Sequence, residues 1–120
     1  MRPHENLDVW KKAIDFVVAI YKETEDFPKD ERFGLISQLR RAAVSIPANI
    51  AEGAGRKSSK EFAHFLSNSQ GSASEVDTEL LIASRLGYFE NSRYTELRAA
   101  LDEIGRMLTG LYRQVQGRSH

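Results

Sequence analysis

The sequence contains no cysteine, only three prolines and a single tryptophan among its 120 residues. The absence of cysteine excludes disulfides and thiolate metal sites. No apolar run approaches the roughly 20 residues that a helix needs to cross a bilayer, and the segment Met1 to Asn6 lacks the apolar core of a signal peptide. We therefore expect a single-domain protein of the cytoplasm that does not associate with membranes.

Net charge is absent as well, because 17 basic residues balance 17 acidic ones. There is consequently no global electrostatic case for nucleic-acid binding. The charge is nevertheless unevenly spread: between Gln38 and Lys60, five basic residues stand against one acidic residue, Glu52, and the segment 75–79 is the acidic counterpart. Such a separation suits salt bridges and self-association as well as it suits RNA.

The spacing of apolar residues predicts four helices, at about residues 7–26, 30–54, 59–87 and 92–116. No stretch alternates between apolar and polar residues for long enough to indicate a strand. Four helices joined by short loops favour an all-α, antiparallel up-down-up-down bundle. Residues 1–120 are therefore expected to form one four-helix bundle domain.

Three of the helices carry a recognisable start signal. Asn6 is a good N-cap residue for helix one. Ser58 and Glu61 match a capping box at the start of helix three, in which Ser58 accepts and Glu61 reaches back. Asn91 or Ser92 is expected to cap helix four.

Helix one has an unusually wide apolar face made of two neighbouring stripes. One stripe contains Leu7, Trp10, Ile14, Val17 and Tyr21, and the other contains Val9, Ala13, Phe16 and Ile20. A face of this width predicts burial on two sides, against the rest of the bundle and against a second subunit.

Helix two contains the most unusual segment, Ser45 to Gly53, with the sequence SIPANIAEG. A proline inside a helix costs about 3 kcal/mol, because it removes one backbone hydrogen bond and crowds the preceding turn. We interpret Pro47 as shaping the helix and Asn49 as satisfying the backbone groups freed near it. Gly53 suits the C-terminus of the helix.

Glu52 lies three residues after Asn49 and therefore shares its face of the helix. The structural interpretation is that Glu52 pairs with an arginine, either Arg41 or Arg56. A general-acid role is the alternative, but no second carboxylate or histidine is spaced to work with it. The structural interpretation is favoured.

No catalytic, metal-binding or cofactor-binding residues are predicted. His4 and His120 are placed in mobile termini, and His64 lacks the paired Glu-x-x-His motifs of di-iron bundles. The segment 53–58 superficially resembles a phosphate-binding loop, but it lacks the G-x-x-x-x-G-K-[ST] spacing and does not follow a strand. We therefore expect a protein that is not an enzyme.

Basic side chains remain the best candidates for a binding site. Backbone donors at the start of helix three, together with neighbouring cations, can hold a phosphate of RNA or DNA, and an ordinary solvated helix junction is the alternative. Lysines beside Trp10 can also contact nucleic acid. The candidate phosphate contacts are Lys11, Lys12, Arg40, Arg41, Arg56, Lys57 and Lys60.

The motif SIPANIAEG resembles the 23S rRNA intervening-sequence protein family, also called the four helix bundle protein family. The resemblance covers about residues 7 to 115. It includes the segments LDVWKKA at 7–13, QLRRAA at 38–43, GSASE at 71–75 and LGY at 86–88. Helix four resembles the family in its apolar pattern.

The resemblance implies a four-helix bundle that assembles into a homopentameric ring, without known catalytic residues. Members are encoded within insertions of bacterial 23S rRNA genes and as free-standing genes. A related and more basic branch, the accessory variability protein of diversity-generating retroelements, binds nucleic acid and a reverse transcriptase.

Two functions remain open. The first is weak nucleic-acid binding through the basic residues named above. The second is a scaffold for a partner protein such as a polymerase. In the scaffold, those basic residues pair with Glu75, Asp77 and Glu79, within or between subunits.

Overall fold

A computed structural model describes residues 1–117, in which four α-helices and two short 3-10 turns occur without any strand. The helices are α1 (Asp8–Thr24), α2 (Leu35–Ala54), α3 (Ser59–Arg85) and α4 (Asn91–Gly117). The predicted all-α class is confirmed. The predicted position of His120 lies outside the described residues.

All four helices contribute to one apolar core. Its largest side chains that are less than 2% exposed are Ile20, Leu39, Ile46, Ile50, Leu66, Val76, Leu80, Ile104, Leu108 and Val115. Of the two stripes on α1, the one containing Val9 and Phe16 is buried, whereas Ile14 and Tyr21 of the other are 37% and 40% exposed. The core therefore covers only part of the wide apolar face of α1.

The start of α1 differs from the prediction. The helix begins at Asp8, and Leu7 occupies the N-cap position without a side-chain hydrogen bond. Asn6 instead ends a 3-10 turn, Pro3–Asn6, so its predicted capping role is wrong. His4 in this turn contacts Trp10, with the ring centroids 4.8 Å apart and the ring planes tilted by 58°.

The second helix also starts later than predicted, at Leu35 instead of residue 30. Residues Lys29–Glu31 form a separate 3-10 turn. Gly34, with φ −109° and ψ −112°, then breaks the helical path. The Leu35 N–H donates to Glu31 Oε1 over 3.1 Å, so a side chain four residues upstream satisfies a backbone donor that the helix leaves unpaired.

Ser58 caps α3 as predicted, accepting a hydrogen bond from Glu61 N over 3.1 Å. The return contact of Glu61 is to the Ser58 hydroxyl, which donates to Oε1 over 3.3 Å. At α4, Tyr94 N donates to the carbonyl of Glu90. The helix therefore begins at Asn91, and neither predicted cap residue stands before it.

The loops that follow α1 and α3 meet in an aromatic cluster. Phe27 lies 5.3 Å from Tyr88 and 5.7 Å from Phe89, measured between ring centroids. The Tyr88 hydroxyl also donates to Glu31 Oε2 over 2.7 Å. Glu31 also accepts a hydrogen bond from the first residue of α2, Leu35. The cluster therefore connects the α3–α4 loop to the start of α2.

Tyr88→Phe is expected to raise the pKa of the Glu31 carboxyl toward its ordinary value. The Tyr88 hydrogen bond is the largest cause of the lowered pKa of Glu31, followed by the bond from Leu35 N. A lowered pKa means that these bonds stabilise the fold at neutral pH and lose that effect as the pH falls through the folded pKa. Carboxyl NMR titration measures the change.

Tyr94→Phe is the matched control, since no hydrogen bond of the Tyr94 hydroxyl occurs within residues 1–117. It should leave the titration of Glu31 unchanged. An unshifted Glu31 pKa in Tyr88→Phe would contradict the assignment.

Candidate functional site

The SIPANIAEG segment lies along the contact between α2 and α3. Asn49 Nδ2 donates to the Ser45 carbonyl over 2.8 Å and to Ser45 Oγ over 2.9 Å. The Ser72 hydroxyl of α3 donates to the same Ser45 Oγ over 2.8 Å. One turn earlier on α3, the fully buried Ser69 donates to the Ile46 carbonyl over 2.9 Å. These polar side chains fix the register of α2 against α3.

The role of Asn49 near Pro47 differs in detail from the prediction. Pro47 lies buried inside α2, which continues to Ala54. Lacking an N–H, Pro47 leaves the Ala43 carbonyl without its usual donor four residues on. Asn49 does not bind that carbonyl, since it binds the carbonyl of Ser45. The side chain therefore joins the contact with α3 and does not repair the proline site.

Gly53 allows the close approach of α2 and α3. A Cβ at this position would lie 2.8 Å from Phe65 Cβ and 3.2 Å from the Phe62 carbonyl oxygen. Neighbouring Glu52 is exposed and pairs with Arg56, with Oε1 and the guanidinium 2.8 Å apart. Of the two predicted arginine partners of Glu52, the structure selects Arg56.

Three of the candidate phosphate contacts already have partners within the chain. Lys12 pairs with Glu103 over 3.1 Å. The half-buried Arg40 donates to Thr24 Oγ1 and to the Tyr21 carbonyl, and its guanidinium lies 4.5 Å from the centre of the Tyr21 ring. The third, Arg56, also lies over the ring of Phe65 at 4.8 Å.

The other four candidates, Lys11, Arg41, Lys57 and Lys60, are exposed and make no salt bridge with any residue that the structure describes. They do not form one patch. Ala54 lies thirteen positions after Arg41 on α2, which corresponds to about 20 Å along the helix. Lys57 and Lys60 stand together beyond that end, at the start of α3.

The acidic segment of α3 does not pair with the seven basic candidates in the described chain. Asp77 contacts Arg98 of α4 over 3.5 Å. Glu79 has one carboxylate oxygen, Oε1, that is buried without a hydrogen-bond partner in residues 1–117. Burial, followed by repulsion from Glu75, raises the pKa of Glu79.

Apolar side chains on the surface are the residues that the sequence interpretation located least well. On α1 and α2 the exposed ones are Ile14, Val18, Tyr21 and Val44, at 37%, 48%, 40% and 41%. We call these four residues the apolar strip. The width of the apolar face on helix one indicated a second contact, but Val18 and Val44 lie outside the stripes and are found only by plotting each residue at 100° around its helix.

An open groove of about 850 Å³ lies between α3 and α4 and includes Asp77, Asp102, Arg106 and Arg113 among its lining residues. Within residues 1–117 there is no group of three or more histidine, aspartate or glutamate side chains placed to hold a metal ion. No helix in this part of the chain has the length and apolar character needed to cross a membrane.

Residues 5–110 match the family described as 23S rRNA-intervening sequence protein. The chain belongs to that family. A solved structure from the S23 ribosomal protein family of Bacteroides thetaiotaomicron VPI-5482, a protein of unknown function, superimposes with a TM-score of 0.78. The two sequences are 26% identical, and the match covers 87% of this chain and 97% of the other. A comparison with curated proteins finds no match.

The 23S rRNA-intervening sequence protein match begins just before α1 and ends within α4. It therefore includes the whole α2–α3 contact, with Ser45, Asn49, Gly53 and Ser72. The resemblance based on the motif is confirmed, and the geometry gives those residues a structural use in this family member.

Proposed function

We propose that the chain is a non-enzymatic, self-assembling bundle that forms a homo-oligomeric ring, a pentamer, and serves as a scaffold for a partner protein such as a polymerase. The observation that carries this proposal is the apolar strip. Large exposed apolar side chains gathered on one surface mark interaction sites. A location in the cytoplasm stays a prediction from the sequence.

The proposal includes an antiparallel up-down-up-down topology, which the contacts between helices support. Ser69 meets Ile46 and Ser72 meets Ser45, so the residue number falls along α2 as it rises along α3. The same holds between α3 and α4, where Gln70 contacts Thr109 and Asp77 contacts Arg98.

An antiparallel pair of α1 and α2 makes the apolar strip continuous. Arg40 of α2 binds the Tyr21 carbonyl of α1. Val44 follows Arg40 by one turn, while Val18 and Ile14 precede Tyr21 at helical spacing. This pairing predicts that Val44 lies near Val18 and Ile14, and burial of these side chains supplies about 25 cal/mol for each Å² of apolar surface.

Val18→Glu is expected to convert the oligomer to a monomer without unfolding it. The side chain is 48% exposed, so a carboxylate there is solvated in the monomer and has to lose that solvation in the assembly. Light scattering measures the native mass, and circular dichroism checks the helix content.

Leu81→Glu is the matched control, because Leu81 is also 40% exposed but lies outside the apolar strip, on α3. It should keep the mass of the unmodified protein. A monomeric unmodified protein, or an oligomer that survives Val18→Glu, would contradict the proposal.

Weak nucleic-acid binding is the second candidate function. The observation that favours it is the pair Lys57 and Lys60, exposed and without salt bridges in the described chain, beside the first turn of α3. Backbone N–H groups at a helix N-terminus attract phosphate, and two neighbouring lysines add to that attraction. Lys11 and Arg41 are further contacts at separate places.

Structured RNA is expected to bind at low salt and to lose affinity steeply as salt is raised. Each neutralised phosphate contributes about 0.7–0.9 to the slope of log K against log salt. Lys57→Glu with Lys60→Glu should therefore weaken binding in fluorescence anisotropy and flatten this slope. Lys29→Glu, at an exposed lysine of another loop, is the control. RNA that fails to bind even at low salt would exclude this function.

A further inference from the structure

We infer that the apolar strip of one copy is covered by the outer face of α3 of the next copy, around Glu75, Glu79, Ile82 and Leu86, in a head-to-tail contact. We call these four residues the acidic face. The inference rests on the self-assembly proposed above and adds which two surfaces meet. It is carried by the charges, the burial and the exposed apolar groups of the two surfaces.

Cations surround the apolar strip. Arg40 lies against Tyr21 inside it. Lys11 is exposed one turn before Ile14, and Lys22 is exposed one turn after Val18. Asp15, one turn after Lys11, and Glu25, one turn after Tyr21, are the acidic exceptions, and both are exposed. The strip is therefore an apolar surface with a net positive border.

The acidic face has the opposite character. Glu75, Glu79, Ile82 and Leu86 follow one another at spacings of four, three and four, which places them on one side of α3. Ile82 and Leu86 are 46% and 54% exposed. The acidic face therefore has carboxylates at one end and exposed apolar side chains at the other, and both can contribute to an interface.

Within the described part of one chain, a carboxylate oxygen of Glu79 on this face lacks a hydrogen-bond donor. Its Oε1 atom is buried but accepts no hydrogen bond from any described residue, and a buried acceptor without a donor costs free energy. Because this atom is already enclosed within one chain, the carboxylate that a cation of a second copy can reach directly is the exposed Glu75. Arg41, on α2 of the same chain, is exposed and makes no salt bridge within residues 1–117, so it is not the missing partner of Glu79 there.

A symmetric contact, in which the apolar strip of one subunit meets the apolar strip of the next, fits less well. It would bring the net positive borders of two strips together, and it would leave the carboxylates of the acidic face without cationic partners from a second copy. Contact between two different surfaces is instead heterologous, and its repetition gives a ring when the rotation from one copy to the next closes, and an open filament when it does not. The acidic face and the proposed ring therefore support each other.

Cross-linking tests the pairing directly, because the chain has no cysteine of its own. The variant carrying both Val18→Cys and Ile82→Cys places one thiol on each surface. With a short bis-maleimide reagent it should give a ladder of covalent multimers that ends at the number of subunits in the ring. Val18→Cys alone and Ile82→Cys alone should give no multimers.

The control combines Val18→Cys with Leu81→Cys, which places the second thiol next to Ile82 but outside the acidic face. It should give far fewer cross-links than the ladder variant. Dimers from Val18→Cys alone would show a symmetric contact of the strip and overturn the inference. Equal ladders from the Leu81 and Ile82 variants would overturn it as well.

The native mass of the unmodified protein, measured in the same samples, separates the two proposals. An oligomer without a ladder overturns the assignment of the acidic face but leaves self-assembly standing. A monomer overturns self-assembly and this inference together. A mixture of Val18→Glu with Ile82→Glu adds an independent measurement, because each variant keeps one intact surface and like charges oppose the second contact, so the two should form a 1:1 pair by sedimentation.

Discussion

Gly53→Ala is expected to destabilise the fold by about 1–3 kcal/mol, the usual cost of forcing extra atoms into a packed interior. The expected sign is opposite to the ordinary one, because alanine usually strengthens a helix by about 1 kcal/mol relative to glycine. The added Cβ would lie 2.8 Å from Phe65 Cβ and 3.0 Å from Phe62 Cδ1. Since Phe65 Cβ is attached to the backbone, α3 itself must move away from α2.

Urea unfolding followed by circular dichroism, at one fixed protein concentration, measures this effect. Gly71→Ala is the matched control: Gly71 lies inside α3, and a Cβ there would meet no atom within 4 Å. It should gain about 0.5–1 kcal/mol from the helix preference of alanine. If Gly53→Ala is as stable as Gly71→Ala, the close approach of the helices does not require glycine.

Leu80→Ala is expected to have the largest effect on stability of any change considered, about 2–5 kcal/mol. Leu80 is 1% exposed and belongs to the apolar core. Truncation removes its buried methyl groups and leaves a cavity that the neighbouring side chains fill only in part. For a chain of this size, the thermal midpoint should fall by roughly 10–20 °C.

Leu81→Ala provides the neighbouring control on the same helix. Leu81 is 40% exposed, so its truncation should change the stability by about 0.5 kcal/mol or less. Similar losses for both variants would mean that the side of α3 facing the core has been assigned wrongly. Thermal melting at one protein concentration is sufficient to tell these outcomes apart.

Helix content could be predicted from the sequence because burial on one side of a helix repeats every 3.6 residues. Leu35, Leu39, Ala42, Ile46 and Ile50 follow this period and are all buried. The helix starts were harder to predict. The late start of α2 depends on Gly34 and on Glu31, and Tyr88, far away in the sequence, holds the side chain of Glu31. A contact over 57 positions leaves no periodic signal.

The candidate site was predictable only in its residue types. The interpretation of Glu52 as an ion-pair partner agrees with its contact with Arg56, one helical turn away. Arg40 was instead assigned to phosphate, whereas the structure places it on Thr24 and Tyr21 of α1. The basic character of a residue is a local property, but its partner depends on which helix lies beside it.

The sequence by itself determined the all-α class, the absence of thiol chemistry and the family, because composition, apolar period and the SIPANIAEG motif are local properties of the chain. Only the tertiary structure decided which stripe of α1 is buried, why Gly53 has to be glycine, and which apolar side chains stay exposed. The physical reason is that periodicity gives the angle of a side chain around its own helix. Whether a side chain at that angle faces the core or the solvent is determined by the other helices that pack against its own helix.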